Sequence, residues 1–229
     1  MTRPERPPSR AEGKGAASRR ARRSRLPIPL ILGIVGVGAL VVGIAAFNTL
    51  NGADTPGSSA HAVAYEVGRP GPGDPAPDFS LTGADGQTLK FADLRGKQVL
   101  LYFHEGLGCD PCWRQIDAIT ADMAKFKSLG IDEVIAISAD PPAAQGQRAK
   151  RTGITMPTLA DPDRAVSGAY GTLAYGMMNG ALPGHTFILV NPDGKIRWRA
   201  DYGGAPNYTM FVADGTLLAE LRRALGVSG

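Results

Sequence analysis

Cysteine is nearly absent from this chain: its 229 residues include two. That excludes a scaffold held by several disulfides and a zinc site built from four cysteines. Charged residues make up 20% against 43% hydrophobic, so a wholly disordered polyampholyte is excluded and a real core is permitted. Basic excess is missing where a nucleic-acid binder would need it. The formal charge is +4, yet residues 1–25 alone hold nine basic and two acidic residues, net +7. The other 204 residues carry 16 basic and 19 acidic groups, net −3, so no nucleic-acid partner is expected of the globule. No internal repeat is visible.

Charge is missing altogether from residues 26–47, LPIPLILGIVGVGALVVGIAAF. As a helix these 22 residues would reach roughly 33 Å, enough to cross a hydrocarbon core of about 30 Å. The run is longer than the apolar region of a cleaved signal peptide, and no cysteine follows it for lipoprotein processing. It therefore reads as an uncleaved signal-anchor. Arginines crowd its N-terminal flank, and between 48 and 59 only Asp54 is charged. The positive-inside rule then predicts a single-pass protein of the cell membrane, with a cytoplasmic N-terminus and the bulk of the chain outside the cytoplasm. Four regions follow: a disordered basic tail at 1–25, a transmembrane helix at 26–47, a Gly/Pro-rich linker at 48–75, and one domain at 76–229.

Within that domain the hydrophobic period changes repeatedly. QVLLYFH at 98–104 is a short continuous apolar run, as in a central strand covered on both faces. Trp113, Ile116, Ile119, Met123 and Phe126 then mark one face of a helix ended by Gly130. Strand character returns at 131–138, and a second helix is expected over 142–152. Residues 186–190 and 195–199 flank an Asn-Pro-Asp-Gly turn and read as a hairpin. A last helix begins at Asp214 and carries Leu217, Leu218, Leu221 and Leu225 on one side. The order predicts an α/β fold, a mixed central sheet flanked by helices.

Both cysteines fall where the central strand meets the first helix, as Cys109-Asp110-Pro111-Cys112. Helix N-terminal amides and the helix dipole favour a thiolate on the first of such a pair. Pro111 suits a first turn, and Cys112, one turn further and more buried, is the natural resolving thiol. A purely structural bridge is a poor alternative, since closing so short a loop removes little chain entropy. Redox chemistry is expected, and nothing calls for a cofactor.

The stretch APDFSL at 76–81, LRGK at 94–97 and CDPC at 109–112, with DPD at 161–163 and TFILVNPDGKI at 186–196, resembles the thioredoxin-like redoxins. These include peroxiredoxins of the alkyl hydroperoxide reductase and thiol-specific antioxidant group, and membrane-tethered thiol-disulfide oxidoreductases. The resemblance implies a thioredoxin-like fold and two competing reactions. In the disulfide oxidoreductases the first cysteine attacks, so Cys109 would form the mixed disulfide and Cys112 resolve it. Peroxiredoxins show Pro, three residues, Thr or Ser, two residues, then the peroxidatic cysteine. On that pattern Cys112 would be peroxidatic, Cys109 would stand for the Thr and Glu105 for the Pro, and the family's distant arginine would fall on Gly184. None of the three supporting positions carries the family's residue, which favours disulfide exchange, with a protein disulfide as substrate before a peroxide and an unidentified electron donor behind it.

Four further residues support this site in the reading. Pro111 shapes the first turn, Glu105 is a candidate proton relay, Pro183 a candidate cis proline against the cysteines, and Trp113 a helix-stripe residue that belongs to the core. Asp110 puts an anion beside the attacking sulfur. Met177 and Met178 read as loop packing, and His104 as a strand-end residue. A copper-delivery protein of the Sco type is a second alternative, with Cys109, Cys112 and His185 as the ligand set. Its cysteine spacing differs from that family's by one residue, and no metal is expected.

Overall fold

A computed structural model describes residues 63–178 and 180–227. The predicted membrane helix at 26–47 and the basic tail lie outside the described residues, among which no helix is long and apolar enough to cross a membrane. The strands are β1 (Ser80–Gly83), β2 (Thr88–Lys90), β3 (Val99–Phe103), β4 (Glu133–Ser138), β5 (Thr158–Ala160), β6 (Thr186–Val190) and β7 (Ile196–Asp201). They form one mixed sheet in the order β2-β1-β5-β4-β3-β6-β7. The helices are α1 (Asp110–Ala121), α2 (Met123–Ser128), α3 (Pro142–Thr152), α4 (Ala165–Ala169) and α5 (Asp214–Leu225). Strand β3 runs parallel to β4 and antiparallel to β6.

All five residues of β3 are buried, and they divide between two cores. Leu100 and Tyr102 pack with Trp113, Ile116 and Ile119 of α1 and Leu217 and Leu221 of α5. Val99, Leu101 and Phe103 face the other way, toward Phe79, Phe91 and Tyr170. Alternate side chains of a strand point to opposite faces, so a sheet covered on both sides needs an unbroken apolar run.

The helical stripe from Trp113 to Phe126 belongs to two helices rather than one. Asp122 stands at φ −98° and ψ 12°, the bridge region, and its carbonyl takes the amide of Lys125 in a tight turn before α2 begins. Gly130, at φ +80°, then ends the segment in the left-handed region that glycine adopts without steric cost.

Residues 63–75, expected as linker, are bound to the domain. Glu66 bridges Asp201 and Pro75 bridges Lys195. The Trp198 indole donates to the Tyr65 hydroxyl at 3.2 Å. This segment covers β7, which would otherwise expose an unpaired edge. It is fastened at a buried ion pair. Arg199 Nε lies 2.7 Å from Asp201 Oδ2 and its Nη2 lies 2.9 Å from Oδ1. Its Nη1 donates to the carbonyls of Pro70 and Tyr170, while Asp201 also accepts the Gly68 amide and the Thr186 hydroxyl. The guanidinium and carboxylate thus join the covering segment, the β6–β7 hairpin and the end of α4.

Candidate active site

Cys109 is the residue before α1, and its sulfur accepts the Cys112 amide at 3.2 Å. Pro111 occupies the first turn, where a missing amide costs nothing. The two cysteines form a disulfide with Cα atoms 5.3 Å apart. Their exposure differs slightly: Cys109 keeps 8% and Cys112 none, so the first cysteine is the less deeply buried of the pair. Once the bridge is reduced, an anion on Cys109 would retain the Cys112 amide and the positive end of α1.

Three side chains hold the loop that presents Cys109. His104 Nδ1 accepts the Gly106 amide at 3.1 Å, and the Trp113 indole donates to the Gly106 carbonyl at 3.1 Å. From the end of β4, Asp140 Oδ2 accepts the Leu107 amide at 2.7 Å and the Ser138 hydroxyl at 2.9 Å. Gly106 is obligatory here, since φ is +89° and a Cβ would come within 2.1 Å of Asp140 Oδ2.

Among the residues singled out from sequence, Trp113 is fully buried in the core. The Glu105 carboxylate is buried and accepts the Met177 amide, which ties the redox loop to the chain at 172–178. Pro183 is buried beside Gly184, but the cis peptides among the described residues precede Pro70 and Pro206, so the expected cis proline is corrected to a trans one. Gly184 leaves no room for an arginine, because a Cβ there would lie 2.1 Å from the Tyr175 carbonyl oxygen. His185 turns Nδ1 to the Tyr102 hydroxyl at 2.9 Å. Among the described residues no three His, Cys, Asp or Glu side chains stand together as a metal would require.

Two contacts were not legible beforehand. Met210 packs in one buried cluster with the cysteine pair. Gln115, one turn after Cys112, accepts the Val212 amide at 2.7 Å and donates to Asp214 Oδ1 at 3.3 Å, which fixes the Met210 loop to α1. Of the exposed large hydrophobics among the described residues, Met177 and Met178 stand on the loop bonded to Glu105, and Tyr208 and Phe211 flank Met210.

Beneath the site lie two buried histidines. Burial pushes His104 from the ordinary 6.5 down to about 3, and burial with the nearby His104 does the same to His185. Burial and the charge of Glu105 raise Tyr102. The unfolded chain binds protons at both histidines below about pH 6.5 while the folded chain does not. Stability is therefore full above that pH and falls as pH drops, approaching about 1.4 kcal/mol per pH unit for each histidine. Urea unfolding at pH 7, 6 and 5 should show midpoints that decline with acidity, and His104→Gln should roughly halve the slope; equal slopes would contradict the assignment.

Comparison with known proteins places these features in a family. The sequence profile described as the AhpC/TSA family matches residues 72–199. A Mycobacterium tuberculosis protein provisionally named a peroxiredoxin is 36% identical over 129 residues, covering 55% of this chain and 81% of the relative. Thiol-disulfide oxidoreductase ResA of Bacillus subtilis is 32% identical over 124 residues, 54% of this chain and 64% of the relative. Among solved structures, peroxidoxin BcpB of Mycobacterium tuberculosis superposes with a TM-score of 0.56 at 22% identity, over 66% of this chain and 96% of its own. AhpC of Enterococcus faecalis gives 0.57 at 18%, over 67% and 92%. At those identities the structures speak for the fold alone: a mixed α/β, thioredoxin-like peroxiredoxin fold.

Proposed function

The chain belongs to the AhpC/TSA family and is an oxidoreductase, and from that premise we propose that it exchanges disulfides through Cys109 as attacking sulfur and Cys112 as resolving sulfur. The observation that carries this reading is the asymmetry of the pair: Cys109 is the N-cap residue with 8% exposure and a sulfur that accepts a helix amide, and its partner is wholly buried one turn behind. Thiolate attack by Cys109 on a substrate disulfide releases one substrate thiol and leaves a mixed disulfide. Cys112 then attacks Cys109, releases the second thiol and closes the bridge. Two electrons pass from the protein to the substrate, and a donor must restore them.

The chain is tethered, in this reading, through residues 26–47 with its redoxin domain outside the cytoplasm. Support comes from the uncharged run behind nine basic residues. Outside the cytoplasm disulfides persist, so the donor is a membrane reductant.

The test is a comparison of oxidants. Reduced full-length protein should consume about one insulin disulfide per chain and end as the Cys109–Cys112 bridge, while hydrogen peroxide should oxidise it far more slowly. Rapid oxidation by peroxide with insulin left intact would reverse the assignment. Peroxide reduction is the second reading, favoured by the peroxiredoxin name of the 36% identical relative. It predicts fast sulfenylation of Cys112 in the Cys109→Ser protein.

The exposed Met177 and Met178, on the segment bonded to Glu105, are candidate contacts for a polypeptide that carries the disulfide. Met177→Ser/Met178→Ser should lower kcat/KM for insulin about tenfold and leave a small disulfide such as hydroxyethyl disulfide unaffected. Equal losses on both substrates would show that the two methionines have no part in docking.

A further inference from the structure

A concavity lies away from the cysteines. It has a volume of about 700 Å3, within the ~300–1,000 Å3 of small-molecule sites, and no residue from 104–113 or 183–187 lines it. Its walls are the β1–β2 hairpin, the C-terminal half of α3 and the chain entering β5. The hairpin and α3 meet closely at one end, where a Cβ on Gly146 would stand 2.5 Å from the Ala84 carbonyl oxygen. That contact holds the two walls at a set separation, so the space exists before any ligand arrives.

The lining has a definite chemistry. Leu89, Ile154, Met156 and Leu159 supply an apolar surface. Thr158, 3% exposed, is among the lining residues, and its hydroxyl is buried out of reach of solvent without a hydrogen-bond partner. Such a group is costly in a folded protein unless something pairs with it. Lys90 and Lys150 also line the cleft, and neither belongs to an ion pair among the described residues. Of the two acids present, Asp85 is engaged by the Gln87 amide at 2.9 Å, which leaves Asp93 to oppose the lysines.

We propose that this cleft binds a small amphiphile with an apolar body and one anionic head, of the monocarboxylate class. The body lies on the leucine, isoleucine and methionine side chains, and the carboxylate pairs with Lys90 and Lys150. Anion binding is weakened by Asp93, which sets the affinity below what two free lysines would give. The site rests on none of the cysteine chemistry.

The probe is 4-benzoylbenzoate, a photoreactive aromatic carboxylate, irradiated with the full-length chain in detergent and followed by peptide mapping of the adducts. Labelling should concentrate in residues 84–94 and 146–159, exceed that by neutral benzophenone, and be displaced by decanoate but not by acetate. Lys90→Glu/Lys150→Glu should lower it about tenfold, the size expected of two surface charge contacts, and Asp93→Asn should raise it. Lys90→Gln/Lys150→Gln, with an unchanged thermal midpoint, should lower it in the same direction. Adducts scattered over the surface, equal labelling by benzophenone, or labelling indifferent to both lysine pairs would overturn the proposal.

Discussion

Cys109→Ser is expected to abolish disulfide exchange, lowering turnover by about 10^3-fold or more, because removing a nucleophile leaves only binding and local electrostatics to act. Cys112→Ser should abolish turnover as well, by a different route. Its Cys109 can still attack, so a single exchange proceeds and stops at the mixed disulfide. The distinction follows from burial: Cys112 has no exposed surface, whereas Cys109 keeps 8% and follows a loop held by the Leu107 amide on Asp140 and by the Trp113 indole on Gly106. Both variants should keep the thermal stability of the reduced wild type, since a bridge closing so short a loop constrains the unfolded chain little. Steady-state insulin reduction and single-turnover quenching separate the two outcomes. Full turnover by the Cys109→Ser protein would be incompatible with the mechanism.

Arg199→Met is expected to cost about 3–5 kcal/mol, a large share of the ~5–15 kcal/mol that holds a typical domain together. The loss comes less from the missing attraction than from what remains. Asp201, with no exposed surface, would keep only the Gly68 amide and the Thr186 hydroxyl, and its charge would lie uncompensated in the core. The carbonyls of Pro70 and Tyr170 would lose their donor too. Arg199→Met/Asp201→Leu should recover much of the loss, because it removes both charges together. Urea unfolding of the three proteins measures this; a single variant within about 1 kcal/mol of wild type would show that the pair contributes little.

Much of the fold was legible because its longer elements carry their own periodicity. Helix α3 coincides with the expected 142–152: Pro142 opens it, and Gly153, at φ +73°, closes it in the left-handed conformation. Strand β3 was visible as an unbroken apolar run for the reason found in the structure, two cores on its two faces. Elements β1, β2, β5 and α4 span three to five residues each, too few for a period to declare itself. The break at Asp122 was hidden because the apolar stripe continues across it. Residues 63–75 have the composition of a linker, and only the partner strand β7 makes them part of the domain.

The site divides in the same way. Cys109, Pro111 and Cys112 announce themselves by spacing and by position at a helix start. Asp140, Gln115 and Met210 act through contacts between elements distant in sequence, and no local signal marks them. Arg199 and Asp201 read as ordinary hairpin charges until the covering segment buries them. Glu105, read as a candidate relay, holds the Met177 amide, and Gly184 is glycine because the Tyr175 carbonyl occupies the space of a side chain.

The central claim is that Cys109 is the sulfur that meets the substrate. The most direct measurement is the mass of the covalent adduct formed when each single cysteine variant, reduced, is mixed with insulin and quenched with acid. The account predicts a stable mixed disulfide through Cys109 in the Cys112→Ser protein and none in the Cys109→Ser protein; an adduct confined to Cys112 of the Cys109→Ser protein would contradict it.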